Sequence, residues 1–404
     1  MKFVDGGVCA AKGFLASGVH CGIRKNRTKK DLALIFSQQR AACASVYTTN
    51  LVKGAPLSVT KQNLADGYAQ AIICNSGNAN TCNADGITVA KQTCAALADA
   101  LHIPETDVVV ASTGVIGQPL DVTPIKNSMN ELISCLSDSG SDAAAEGIMT
   151  TDTKKKECAV TFTAGGKLCT LGGIAKGSGM IHPNMATMLV FLTTDCAISP
   201  AMLQKALSTD VQSTFNMVSV DGDTSTNDMV TVLANGMAQN SMIENEGEDF
   251  DAFMQALNTV CVYLCRCIAA DGEGATKLLE CTVSGAPCEQ IAKACAKSVI
   301  CSSLTKAAMF GADANWGRIL CAIGYAGVAV DVQKIDVSFA SAKGTVSVCQ
   351  NGAGVTFSEE AAKQILLCDE INILIDLNQG DAGATAWGCD LTYDYVKING
   401  DYRT

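Results

Sequence analysis

The stretch KGSGMIHPNMATMLVFLTTD, residues 176–195, presents a hydroxyl where chemistry could use it. A loop rich in glycine and carrying Pro183 runs into Thr187, and an apolar, strand-like run follows directly. A threonine hydroxyl at neutral pH is a weak nucleophile that becomes useful only beside a base. The plainer reading is structural, because a β-branched residue opening a strand packs well on a pleated surface. The pattern alone favours the plainer reading, so the decision rests on the rest of the chain.

Other reactive groups are sparse. GIAKGSG lacks the spacing of a phosphate loop, and no glycine turn fits a dinucleotide fingerprint. DGDTSTND from Asp221 opens like a calcium loop, but Thr226 stands where glycine is required and the distal Glu is absent, which leaves a shaped loop near the site. His182 beside Pro183 reads as a turn residue rather than a general base. The 21 cysteines are odd in number and scattered, with no C-x-x-C pair, and Cys261, Cys265 and Cys267 fall on a helical stretch. They read as buried apolar side chains of a reduced protein, not as disulfides or a metal site.

Composition bounds the partners. A net charge of −11 repels phosphate backbones, and the longest basic run noted, residues 154–156, is short, so nucleic acid is excluded. Apolar runs such as 188–192 fall well short of the roughly 20 residues that span a bilayer. Asp5 and Lys12 interrupt the start before a signal-like apolar region forms, and the expected location is cytoplasmic, with no membrane partner. With 404 residues, 48% of them hydrophobic and 17% charged, the chain should fold into two or three packed domains.

The elements that would hold these residues alternate. Apolar runs at 71–74 and 108–111 read as strands, and periodic segments at 87–101 and 122–136 as helices. CAVTF and KLCTL flank Ala164-Gly165-Gly166 as a hairpin, and a loop then spans 176–186 before β-like residues resume at Thr187. Ser199-Pro200 caps a helix running towards Val211. Further helices are expected at 250–269, 289–300 and 359–367, and strands at 335–339, 345–349 and 371–377 mark a smaller C-terminal α+β part.

The segment with Thr187 resembles the self-cleavage motif of the ornithine acetyltransferase family, in which the chain breaks inside N-M-A-T-M-L. Further words occur in the family's order: AKGFLASGVHCGIRK near the start, NSGNAN at 75–80, STGVIG at 112–117 and MTTDT at 149–153. They continue through VDGDTSTND at 220–228, GADANWGRIL at 311–320 and INGDYRT at the C-terminus. The resemblance therefore runs almost end to end.

That resemblance implies cleavage between Ala186 and Thr187, an N-to-O acyl shift that leaves Thr187 with a free α-amino group as its own base. It implies Thr113 and Gly114 as donors to the oxyanion, and Thr150, Lys176, Thr187, Glu273, Asn399 and Thr404 as substrate-binding residues, with Thr151 the neighbouring alternative to Thr150. It implies acetyl transfer from N-acetylornithine to glutamate in arginine biosynthesis without metal or cofactor, and leaves open acetyl-CoA as a co-substrate. The fold implied is α/β (α+β), a layered sandwich of sheets between helices of the N-terminal-nucleophile type. Residues 1–186 and 187–285 would share the catalytic domain and 286–404 would form the smaller one, with two copies of each cleavage fragment assembling together. The rival enzyme is a self-processing amidase or aminopeptidase that passes the acyl group to water; a passive binding protein would have no reason to appear as two fragments.

Overall fold

The computed structural model describes residues 1–26, 28–182 and 188–401. Up to Thr194 the strands are β1 (Lys2–Val4), β2 (Phe14–Val19), β3 (Leu32–Tyr47), β4 (Tyr68–Asn78), β5 (Val108–Val115), β6 (Lys156–Ala164), β7 (Lys167–Lys176) and β8 (Leu189–Thr194). Then come β9 (Val218–Ser219), β10 (Met229–Ala234), β11 (Leu278–Ala286) and β12 (Asp336–Ser341). The last four are β13 (Gly344–Gln350), β14 (Ala353–Gly354), β15 (Glu370–Asp376) and β16 (Ala382–Cys389).

These strands form two sheets. In the first the order is β1-β6-β7-β8-β10-β3-β4-β5, with β2 also paired to β3; in the second it is β14-β13-β12-β15-β11-β16-β9. The hairpin expected around Ala164-Gly165-Gly166 is β6-β7, in register from Lys156↔Ala175 to Ala164↔Lys167. The parallel pairs β4-β5 and β8-β10 each need a crossover, and the helices Gly86–Leu101 and Pro200–Asp210 fall within those connections. Ser199 caps the second of these helices, its hydroxyl accepting from the Met202 N–H at 3.4 Å.

Layering follows from which faces are apolar. Helix Glu248–Ala270 buries Phe253, Leu257, Val260 and Leu264 and packs against β6 and β7 of the first sheet and β11 and β16 of the second. Phe253 meets Phe162 of β6 edge to face at 6.0 Å. It is the one described helix long and apolar enough to cross a membrane by length and composition, and half of its apolar window is buried between these layers. Helix Ser141–Ile148 packs on β2 and β3, and helices Ala55–Asn63 and Gly86–Leu101 on β5.

Two local differences from the sequence reading have physical causes. The helix expected over 122–136 is two, Thr123–Asn127 and Met129–Ser134, because Ser128 sits at φ −93° and ψ −2° with its N–H shared between the carbonyls of Pro124 and Ile125. The long β3, not anticipated, slips register with β4 between Phe36 and Ala41, leaving residues 38–40 exposed. Such a bulge bends a strand, so one arm of β3 pairs with β2 while the other pairs with β10.

Candidate active site

The end of β5 and the end of β7 meet. Lys176, the last residue of β7 and 8% exposed, sets its Nζ 3.4 Å from the Thr113 hydroxyl. Beyond Thr113, Gly114 has φ +132°, and a Cβ there would lie 2.3 Å from the Gly77 carbonyl carbon of β4. Glycine alone fits that approach. The backbone around it is held by amide side chains: Asn227 Nδ2 donates to Ala79 O at 2.6 Å and to Ser112 O at 2.9 Å, and Asn75 Nδ2 to Asn78 O at 2.9 Å. Where strands stop, carbonyls need donors, and these asparagines supply them. This is the structural content of NSGNAN and of the end of VDGDTSTND.

A cavity of about 320 Å³ opens here, lined by Thr113, Gly114, Thr150, Lys176, Glu273 and Asn399 among others. Six residues singled out from separate parts of the sequence thus share one space. Both Thr150 and Thr151 line it, as do Ser225, Thr226 and Asn227 from the shaped loop. Ala186, Thr187 and Thr404 lie outside the described residues. Met188 and Leu189, just after Thr187, line an adjoining recess together with Thr113 and Lys176.

The charges in the cavity are held from behind. Glu273, 9% exposed, accepts from Asn399 Nδ2 at 2.8 Å, and its own N–H donates to Ser178 O at 3.0 Å. Gly179 makes room for it, since a Cβ there would stand 2.3 Å from the Glu273 carboxyl carbon. Behind Lys176 is a buried cluster that sequence reading missed. Lys156, 1% exposed and read from sequence as part of a short basic run, donates to Asp152 Oδ1 at 2.7 Å and to Asp271 Oδ2 at 2.6 Å. Asp152 also accepts the N–H groups of Thr150 at 2.9 Å and Gly177 at 2.7 Å. Burial would raise its carboxyl, but Lys176 and Lys156 outweigh burial and hold it below the ordinary carboxylate range. The only sequence signal for this cluster was the Asp inside MTTDT.

The loop between β7 and the undescribed segment is also tied down. Asp221 accepts the N–H of Met180 at 2.6 Å and of Ile181 at 2.8 Å, and burial raises its carboxyl. His182 Nδ1 lies 3.1 Å from Ser219 Oγ and 3.4 Å from Cys301 Sγ. Burial first, and Lys297 next, push its imidazole down to about 4, so it is neutral at physiological pH. Among the described residues no group of His, Cys, Asp or Glu is arranged to hold a metal ion. All 21 cysteines are free, and most are buried.

Lys176 and Glu273, a buried cation and a buried carboxylate, face one small cavity at the meeting of strand ends in a layered α/β body, the kind of concave setting in which small-molecule sites form. Residues 15–404 match the ArgJ family, and the chain belongs to that family of acyltransferases of arginine biosynthesis. It is 51% identical over 405 residues to the arginine biosynthesis bifunctional protein ArgJ of Caldanaerobacter subterraneus subsp. tengcongensis, covering 100% of both chains. The ArgJ protein of Symbiobacterium thermophilum is 48% identical over 406 residues, again with 100% of both covered. The crystal structure of the arginine biosynthesis bifunctional protein argJ from Bacillus halodurans matches with TM-score 0.50 and 46% identity, covering 53% of this chain and 98% of that one.

Proposed function

We propose that this protein cuts itself between Ala186 and Thr187 and then carries an acetyl group from N-acetylornithine to glutamate as an ester on Thr187. The observation that carries the reading is the convergence of Thr113, Gly114, Thr150, Lys176, Glu273 and Asn399 on one cavity, with Met188 and Leu189 in the recess beside it. The length of the solved Bacillus halodurans chain supports the cut. That chain is covered almost completely, yet accounts for 53% of this one. A break before Thr187 leaves pieces of 186 and 218 of the 404 residues, the longer being of that size.

In the cutting step the Thr187 oxygen attacks the Ala186 carbonyl, the peptide nitrogen leaves as the new α-amine, and water hydrolyses the resulting ester. The α-amine, with a reference pKa of about 7.7–8, is partly neutral near pH 7 and takes the hydroxyl proton in the next attack. The Thr113 hydroxyl and Gly114 N–H are the donors to the developing oxyanion; one such donor contributes about 3–4 kcal/mol of barrier lowering. Lys176 pairs with the substrate carboxylate and Glu273, backed by Asn399, with an amine, while Thr150 and Thr404 add hydrogen bonds. Ornithine leaves, and glutamate then takes the acetyl group. No cofactor takes part, whether acetyl-CoA can also donate is left open by the site, and the enzyme works in the cytoplasm as two copies of each fragment.

Intact mass of the purified protein tests the cut: two polypeptides are expected, the second beginning at Thr187, and Thr187→Ala stays whole. Full activity in an uncut protein would sink the reading. Quenching after labelled N-acetylornithine, without acceptor, should leave label on the second fragment. Initial-rate lines that intersect rather than run parallel would refute the two-step transfer.

A further inference from the structure

A second cavity, of about 560 Å³, adjoins the first and shares Gly114, Thr150 and Thr151 with it. Arg24, Lys25 and Lys29 line it, and among the described residues no carboxylate does. In a chain of net charge −11 this is a local reversal of sign. The loop that carries these cations is built into the fold. The fully buried Asp31 carboxylate accepts the backbone N–H groups of Cys21 at 2.6 Å, Gly22 at 3.2 Å and Arg24 at 2.8 Å. The Arg24 guanidinium donates to Met149 O, which ties the loop to the residue before Thr150.

The two amino acids of the proposed exchange share an α-carboxylate and a reacting nitrogen but differ in the charge at the end of the side chain. Their common groups can use the same anchors, Lys176 and the nucleophile. Their tails cannot, because a carboxylate that pairs with an amine repels another carboxylate in the same place. The site has two arms of opposite sign meeting at Gly114 and the threonine pair: Glu273 with Asn399 on one, and the basic cavity on the other.

Resting on the transfer reading above, we infer that the basic cavity receives the side-chain carboxylate of the acceptor, with Lys25 and Lys29 as its cations, while Glu273 receives the donor's side-chain amine. One catalytic centre thereby serves two side chains of opposite charge without moving. Lys25 and Lys29 are exposed, and Arg24 is already engaged with the backbone, so the two lysines are the residues to alter.

The test is acceptor choice. Enzyme acetylated by labelled N-acetylornithine is offered glutamate or its neutral isostere glutamine, and the ratio of the two kcat/KM values is taken. In the double variant Lys25→Gln/Lys29→Gln this preference should fall by about ten-fold or more, mainly through a higher KM for glutamate, as loss of a charge-assisted hydrogen bond implies. Lys25→Arg/Lys29→Arg should retain most of it. In the unaltered enzyme, glutamate but not glutamine should slow reductive methylation of Lys25 and Lys29, a readout that needs no variant to fold. An unchanged ratio, or equal protection by both acceptors, overturns the inference and leaves the transfer reading standing. Failure of the unaltered enzyme to take label overturns both.

Discussion

Replacing Lys156 with methionine keeps much of the side chain's volume and removes its charge. In the native protein the ammonium lies 2.7 Å from Asp152 and 2.6 Å from Asp271, and all three side chains are buried. Removing one partner of a buried ion pair costs about 3–5 kcal/mol, because the remaining charge is left uncompensated. Lys176 still faces Asp152, so the lower half of that range is expected, about 3 kcal/mol. With an unfolding entropy of about 2.1 cal/mol/K per residue over 404 residues, this lowers Tm by roughly 3–4 °C at pH 7.

The pH dependence has a definite sign. Asp152 has a folded pKa below its unfolded value, so in the native protein its stabilising contribution is full above the unfolded value near 3.9 and is lost as pH falls through the folded value. Without Lys156, one of the two cations that oppose burial is gone and the Asp152 carboxyl moves up from its native value, though Lys176 still holds it down. The Lys156→Met deficit should therefore be greatest at pH 7–8 and shrink towards pH 4. Thermal unfolding of both proteins from pH 4 to pH 8 measures this. A Tm within about 1 °C of the parent at pH 7 would contradict the reasoning, as would a deficit that grows on acidification.

Three further outcomes follow from the geometry. Gly114→Ala, which puts a Cβ 2.3 Å from the Gly77 carbonyl carbon at a φ of +132°, should lower kcat by about 100-fold or more, seen in steady-state rates. Deleting residues 400–404 removes the chain beyond Asn399 and should reduce kcat/KM for N-acetylornithine by about ten-fold while leaving self-cleavage intact; unchanged kinetics would count against Asn399 and Thr404 as substrate contacts. In a thiol titration of the native protein the exposed Cys82, Cys135, Cys288 and Cys321 should react first. Cys43 and Cys74, whose thiols burial pushes up, should react only on unfolding.

What could be read in the sequence were features that repeat or punctuate. The β6-β7 hairpin was marked by its glycine turn, the helix from Pro200 by its Ser199 cap, and the helix Gly86–Leu101 by apolar spacing. The cavity residues were legible for a different reason: long words resembling one family named them, and their meeting in space is a result of the fold. Less legible was anything that depends on distant pairing. Lys156 looks like a surface lysine until β6 turns it towards Asp271, 115 residues away in the chain. The bend in β3 depends on a register slip against β4, and no local signal marks which residues a neighbouring strand will skip. The cations of the second cavity lie inside a word that the resemblance recognised without assigning it a task.

The order of strands in the first sheet bears on how the protein could be taken apart. β8 and β10 follow Thr187 in the chain, yet they lie between β7 and β3, which precede it. A chain cut before Thr187 therefore yields two polypeptides interleaved through one hydrogen-bonded sheet, and neither has a complete set of neighbours by itself. Folding has to come before cutting. Once cut, an unfolded molecule can no longer return by a first-order path, and recovery becomes a bimolecular reassembly whose rate falls with dilution. Maturation would thus turn a stability that belongs to a single chain into one that depends on the concentration of its pieces.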